Sequence, residues 1–431
     1  MRFKKILTSI LLVSTLVTML GGCGAGNSQS ATEPKKDKSK QKLTVTTWDS
    51  DTTPQFKTIV EGFKKENPDI EVEIVDTAAN DYNNKLTVML ASADSDPDII
   101  FVKDAHAQFT MKEKGQLLKL DDYIQKDNIN LSIYKGAAEK LKIDESYYTL
   151  PYRQDWYALF YNKDIFDKAG VQYPKNDMTW DEYEQLARKL TSGDGNNKIY
   201  GSHNHIWSAM VTNWAVQDGN NTRIASDYSF LKPYYEQALR MQKDGIIQNY
   251  ANLKTGNIHY ISVFEQQQCA MLPMGTWFIG TLLKEQEAGK VKFNWGVTRI
   301  PHPAGVEAGN SVGSITPIAI NAKTDVPELS WKFVKFATSE EAGKLLAEKG
   351  MIPGAQTEAI VSKFTSMPNF PKDGKDAFDI KNAVLDKPLN KNSASVDRVI
   401  DEEHDLIMIG EEDIDTGIKN MNERVKEIVN K

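Results

Sequence analysis

Residues 43–48 (Leu-Thr-Val-Thr-Thr-Trp) open with alternating apolar and polar side chains, the period of two expected of a half-buried strand. Phe56, Ile59, Val60 and Phe63 then recur at i, i+3, i+4 and i+7, which predicts an amphipathic helix stopped by Asn67-Pro68. Alternation returns over 70–75 as a second strand. Leu86, Met89 and Leu90 mark another helix, and the apolar run 99–102 behind Asp96-Pro97-Asp98 reads as a buried strand. Strand and helix in strict alternation predict parallel strands with helices on both faces. Further on, Thr179-Trp180-Asp181-Glu182 has the spacing of a capping box, and Tyr183, Leu186, Ala187 and Leu190 share one face of the helix it opens. Residues 193–201 form a polar turn region, and 228–241 read as a helix ending at Asp244-Gly245. Strands are predicted over 293–300 and 315–320, and helices over 331–337 and 340–348, the second capped by Ser339. A last helix carries the stripe Ile414, Ile418, Met421, Val425 and Ile428. No internal repeat is present.

The N-terminus breaks this pattern. Basic residues Arg2, Lys4 and Lys5 precede an apolar run, 6–20, that ends in Leu20-Gly21-Gly22-Cys23. The run is short for the roughly 20 residues of a membrane-spanning helix, so it reads as a cleaved secretion signal. Residues 24–42 contain Gly, Ser, Gln, Lys, Asp and Pro with two Ala as their only apolar members, too little to bury, and they predict a flexible tether. Without the signal's three basic residues the chain has 49 basic against 59 acidic side chains, which argues against nucleic acid as a partner. Cys269 is the one other cysteine, set in an apolar segment that reads as a buried strand, so neither a disulfide nor a thiolate metal cluster is expected. Roughly 390 remaining residues exceed what one hydrophobic core supports and predict two domains.

In this order the landmarks resemble the family 1 extracellular solute-binding proteins, the maltose-binding-protein type. The resemblance rests on Trp48-Asp49, Asn67-Pro68-Asp69-Ile70, Pro97-Asp98-Ile99-Ile100-Phe101 and Leu150-Pro151-Tyr152. It continues through Tyr161-Asn162-Lys163-Asp164, Thr179-Trp180-Asp181-Glu182, Gly275-Thr276-Trp277 and Asn294-Trp295-Gly296-Val297-Thr298. Leu-Gly-Gly-Cys is similar to a bacterial lipobox, which implies a signal peptide over 1–22, acylation of Cys23 and a lipid-anchored tether over 23–42. The family resemblance implies an α/β, two-lobe periplasmic-binding-protein-like fold of type II. Lobe one would hold 43–154 and 299–338, and lobe two 155–298 and 339–431. Three crossings, near 153–157, 296–300 and 337–340, would join the lobes around a ligand cleft. It further implies a monomer on the extracytoplasmic face of the cell membrane that catalyses nothing and needs no cofactor. Its partners would be a carbohydrate ligand and the permease subunits of an ABC importer.

A neutral sugar presents hydroxyls and apolar C–H faces, so its site combines carboxylates and amides with flat aromatic rings. Open α/β sheets bind ligands outside the carboxyl ends of their strands. That rule selects Trp48 and Asp49 after the first strand and Asp104 after the third. It also selects Trp277, at the position where the family places a ring against the sugar. Arg153, Asp155 and Trp156 lie on the first crossing, with interlobe packing as the alternative for Trp156, and Trp207 lies in a segment that contributes rings in this family. Trp180, Trp295 and Trp331 are assigned to packing. His203 and His205 form a His-x-His pair without a partner of metal-site spacing, so no metal is expected. Residues 194–197 lack the ligand alternation of a calcium loop. Two other readings are weighed against the sugar clamp: the same clamp for a charged solute, and an extracellular glycosidase. No H-E-x-x-H or P-loop pattern supports an enzyme.

Overall fold

The computed structural model describes residues 41–430, except Thr52, Asn80 and 93–96. The signal, Cys23 and nearly all of the tether lie outside the described residues. Nine strands follow the chain as β1 (Gln41–Trp48), β2 (Ile70–Thr77), β3 (Ile99–Phe101), β4 (Thr149–Asn162), β5 (Tyr200–Ser202), β6 (Cys269–Gly275), β7 (Trp295–Arg299), β8 (Asn310–Ile320) and β9 (Asn382–Leu385). Strand β1 begins at Gln41, inside the expected tether, because Gln41 and Lys42 already pair with Ile70 and Glu71.

Strand β1 pairs in parallel with both β2 and β3, as strand–helix alternation predicts. Its apolar side chains Leu43 and Val45 are fully buried beneath the helix Gln55–Glu66, whose Phe56, Ile59, Val60 and Phe63 face the sheet. Pro68 ends that helix by disfavouring the α conformation at Asn67, which sits at φ −133° and ψ 66°. The sheet as a whole is mixed, in the order β2-β1-β3-β8-β4-β6-β5, with β7 added on β4 and β9 on β8. Strand β8 runs antiparallel to β3 and β4, while β5–β6 and β8–β9 pair in parallel, so the parallel expectation holds among the first three strands and the rest of the sheet is mixed.

The position of the site follows from β4. Thr149–Trp156 pairs with β8, while Tyr157–Tyr161 pairs with β6 and Ala158–Asn162 with β7. One continuous strand thus joins a first half, built on β1, β2, β3 and β8, to a second half built on β5, β6 and β7. The helix Trp180–Leu190 belongs to the second half and opens with the expected capping box, Thr179 and Glu182 each bonding the other's backbone. Such a cap is worth about 1 kcal/mol. Cys269 is buried in β6, where burial pushes its thiol up, away from reactivity. The helix Glu340–Ala347 packs on Gln55–Glu66 in the first half, and Gly62 fits against its Leu345. Among the described residues no helix is long and apolar enough to cross a membrane.

Candidate functional site

On β4, side chains alternate between the two faces of the strand. Asp155 and Tyr157 share one face. The Arg153 guanidinium donates from Nε and Nη2 to Asp155 Oδ2 at 2.8 and 2.7 Å, and Thr276 Oγ1 donates to Asp155 Oδ1 at 2.9 Å. Thr276 follows β6, so this bond ties the ion pair to the strand end that carries Trp277.

Trp277 is half-buried and lies over Gly275: a Cβ there would sit 2.0 Å from its ring, so only glycine lets the indole lie on the strand end. Its ring meets Tyr157 edge-on at 5.5 Å and Trp207 at 6.3 Å. Its Nε1 donates to the Tyr260 hydroxyl at 3.2 Å. Trp207, 37% exposed, packs against Tyr260 at 5.8 Å and His205 at 4.6 Å. Tyr157, Trp207, Tyr260 and Trp277 thus form one aromatic cluster beside the Arg153–Asp155 pair. Burial pushes Tyr260 up to about 12, leaving a neutral hydroxyl.

A second polar group lies at the carboxyl end of β3. Asp104 Oδ2 accepts from Asn83 Nδ2 at 2.8 Å, and Oδ1 faces Lys387 Nζ at 3.4 Å. Burial opposes the Asp104 charge, but Lys387 and Asn83 outweigh it and bring the carboxyl down to about 2. Lys387 Nζ is also 3.3 Å from Asp397 Oδ2, and Asp397 Oδ1 accepts from Arg223 Nε at 3.0 Å. Arg223, 4% exposed, donates further to Thr212 Oγ1 at 2.6 Å and Ser208 Oγ at 3.2 Å. Asp386, beside Lys387, is pushed up to about 6 by burial, against the pull of Lys387 and Arg223. His106 is buried at the same place, with Nδ1 unpartnered among the described residues.

Of the residues selected from sequence, Arg153, Asp155, Trp207 and Trp277 come together, and Asp104 lies at the neighbouring ionic group. Two rings do not join them. Trp48, 8% exposed, turns into the first half's core against Phe56 at 4.7 Å and Tyr82 at 5.1 Å. Trp156 lies on the opposite face of β4 from Asp155, donates Nε1 to the Ala377 carbonyl at 3.0 Å and packs on Phe378, as its packing alternative describes. Asp49 takes a left-handed φ of 46° and accepts from the Ala79 amide at 3.0 Å. Trp180, Trp295 and Trp331 are buried.

Sequence reading misses Tyr157, Tyr260, Arg223, Lys387 and Asp397. Tyr157 carries a usable signal, two positions beyond Asp155 on a strand; Tyr260 and the charged residues carry none, since distant segments deliver them. Burial holds His203 and His205 neutral, pushed down to about 4 and about 3. Among the described residues no three His, Cys, Asp or Glu side chains are grouped to hold a metal.

Comparison with known proteins places this geometry. The chain is 24% identical over 362 residues to the multiple sugar-binding protein of Streptococcus mutans, covering 79% of this chain and 80% of that one. A crystal structure described as a sugar transporter from Rhizobium etli, in an open conformation, superimposes with a TM-score of 0.79 and 38% identity over 89% of this chain and 99% of that one. An ABC substrate-binding protein from Listeria monocytogenes, solved with cycloalternan, superimposes with a TM-score of 0.79 and 25% identity over 91% of this chain and 99% of that one. The sequence profile described as bacterial extracellular solute-binding protein matches residues 49–344, more than half of the chain. With the two-lobe α/β fold and this match, the chain belongs to the bacterial extracellular solute-binding proteins.

Proposed function

We propose that the protein captures a neutral sugar or short oligosaccharide between its two halves and delivers it to the permease of an ABC importer, without chemical change to the ligand. The observation that carries this reading is the aromatic cluster of Tyr157, Trp207, Tyr260 and Trp277 set beside carboxylates whose cationic neighbours are already paired. Aromatic faces suit the C–H faces of a pyranose, and carboxylates accept from its hydroxyls. Arg153, Arg223 and Lys387 each meet a carboxylate, so none is left over as the counter-charge an anionic solute needs. The sugar-binding names of relatives point the same way.

The ligand contacts we assign are Asp104, Arg153, Asp155, Trp207 and Trp277, with Tyr157 and Tyr260 added; Trp48, Asp49 and Trp156 support the loops around them. We divide the chain as the sequence reading does, into 43–154 with 299–338 and 155–298 with 339–431, but assign Glu340–Ala347 to lobe one because it packs on Gln55–Glu66. A ligand bound only by the folded clamp stabilises it by about 2.7 kcal/mol at a hundredfold excess over Kd, a rise of a few degrees in melting temperature. The test is a melting screen against neutral mono- and oligosaccharides and against phosphodiesters, polyamines and peptides. Shifts with charged solutes alone would overturn the sugar assignment. Release of reducing ends from a bound oligosaccharide would overturn the non-enzymatic one.

The protein works as a monomer held at the outer face of the cell membrane by a lipid on Cys23, a reading supported by Leu20-Gly21-Gly22-Cys23 and the polar stretch behind it. Cys23→Ala is expected to lose all incorporation of labelled fatty acid while keeping the wild-type melting temperature. Equal absence of label from wild type and variant would remove the anchor.

A further inference from the structure

We propose that Lys387 is a latch that holds the two halves together when no ligand is present, an inference that rests on the capture between two halves proposed above but not on what is captured. The Lys387 ammonium stands between one carboxylate from each half, 3.4 Å from Asp104 Oδ1 and 3.3 Å from Asp397 Oδ2. Asp104 follows β3 and is held in the first half through Asn83 of the helix Tyr82–Ala91. Asp397 belongs to the helix Ser393–Ile409 and is held by Arg223, which is bonded in turn to Ser208 and Thr212 in and beside the helix Ala209–Val216 of the second half. Lys387 itself follows β9 at the junction, where the Asp386 amide donates to the Gly313 carbonyl of β8 at 2.9 Å.

The side chains of Lys387, Asp104 and Asp397 keep 36, 25 and 9% of their exposure. That is dry enough for the pairing to exceed a surface ion pair and wet enough for salt to weaken it. Both Asp104 oxygens have a partner, so a ligand hydroxyl that reaches Asp104 has to share or displace the ammonium. The latch therefore raises the closed population of the empty protein, and ligand capture depends on opening it.

The experiment measures the distance between spin labels on Lys65→Cys and Lys243→Cys, exposed residues on helices of the two halves, in a chain carrying Cys23→Ala so that buried Cys269 is the one other thiol. No sugar is added. At about 20 mM salt the wild-type side chain at 387 is expected to give mainly the short distance. Lys387→Met should move more than half of the population to a longer one, about 1 M salt should do the same to wild type, and Lys387→Arg should keep the short distance. Salt should add nothing further to Lys387→Met. Distances that are the same in wild type and Lys387→Met and indifferent to salt overturn the proposal, and the salt arm decides the matter even if Lys387→Met folds poorly. Because the readout needs no ligand, a chain that binds no sugar can still show the latch, and a sugar binder with unchanged distances lacks it.

Discussion

Trp277→Ala is expected to bind the sugar that gives the largest shift in the melting screen about thirtyfold more weakly than wild type, a loss of about 2 kcal/mol. The ring is half-buried, rests on Gly275 and forms one wall of the aromatic cluster, so its removal takes away contact surface more than core. Trp331→Ala is the contrasting variant. Trp331 is 3% exposed, stacks on Tyr123 at 5.4 Å and donates Nε1 to Asp127 at 3.0 Å. Its truncation should cost about 3–5 kcal/mol of stability and leave affinity at low temperature unchanged. Calorimetric titration and ligand-free melting of both variants separate the two roles. A Trp277→Ala protein that melts far below wild type yet binds normally in the cold would make this ring a packing element of the second half.

Strands β1, β2 and β3 are legible in the sequence because each is an alternating or wholly apolar run bounded by turn residues, and local pattern matches burial there. The first part of β8 is not legible: Ser311, Gly313 and Ser314 carry no apolar signal, and the strand exists because β4 and β9 supply its hydrogen bonds. The helix Ser393–Ile409 is hidden for a different reason. Its buried face includes Asp397, Glu403 and His404, polar residues that interrupt any hydrophobic stripe. They are tolerated inside because Arg223, Arg424 and Tyr235 meet them.

The site divides along the same line. Trp277 and Asp104 are selected as candidates by the rule that places ligands beyond strand ends, since that rule needs only strand order. Trp156 is not settled by it, because the face of β4 on which a side chain emerges depends on the register, and the register shifts between Pro151 and Arg153. Tyr260 enters from the helix Tyr260–Glu265, and Arg223 meets Asp397 across 174 residues of chain. No local pattern announces a pairing at that separation.

That pairing sets a second large stability effect. Arg223→Met should lower the free energy of unfolding by about 3–5 kcal/mol, because it strands the Asp397 carboxylate, 6% exposed, without its hydrogen-bonded cation. Ser208 and Thr212 lose a donor at the same time. Lys387, 3.3 Å from the other Asp397 oxygen, keeps part of the compensation, so the loss should fall toward the lower end of that range. Adding Lys387→Met to Arg223→Met should then cost more than the two single losses combined, since it removes the last cation beside a buried charge. Replacing both partners, Arg223→Met with Asp397→Leu, should restore much of the stability, because no unpaired charge remains buried. Denaturant unfolding of the four variants without ligand measures all of these differences. If Arg223→Met unfolds like wild type, the buried carboxylate has found another partner, and the ionic chain from Arg223 to Asp104 is not the element that holds this part of the second half in place.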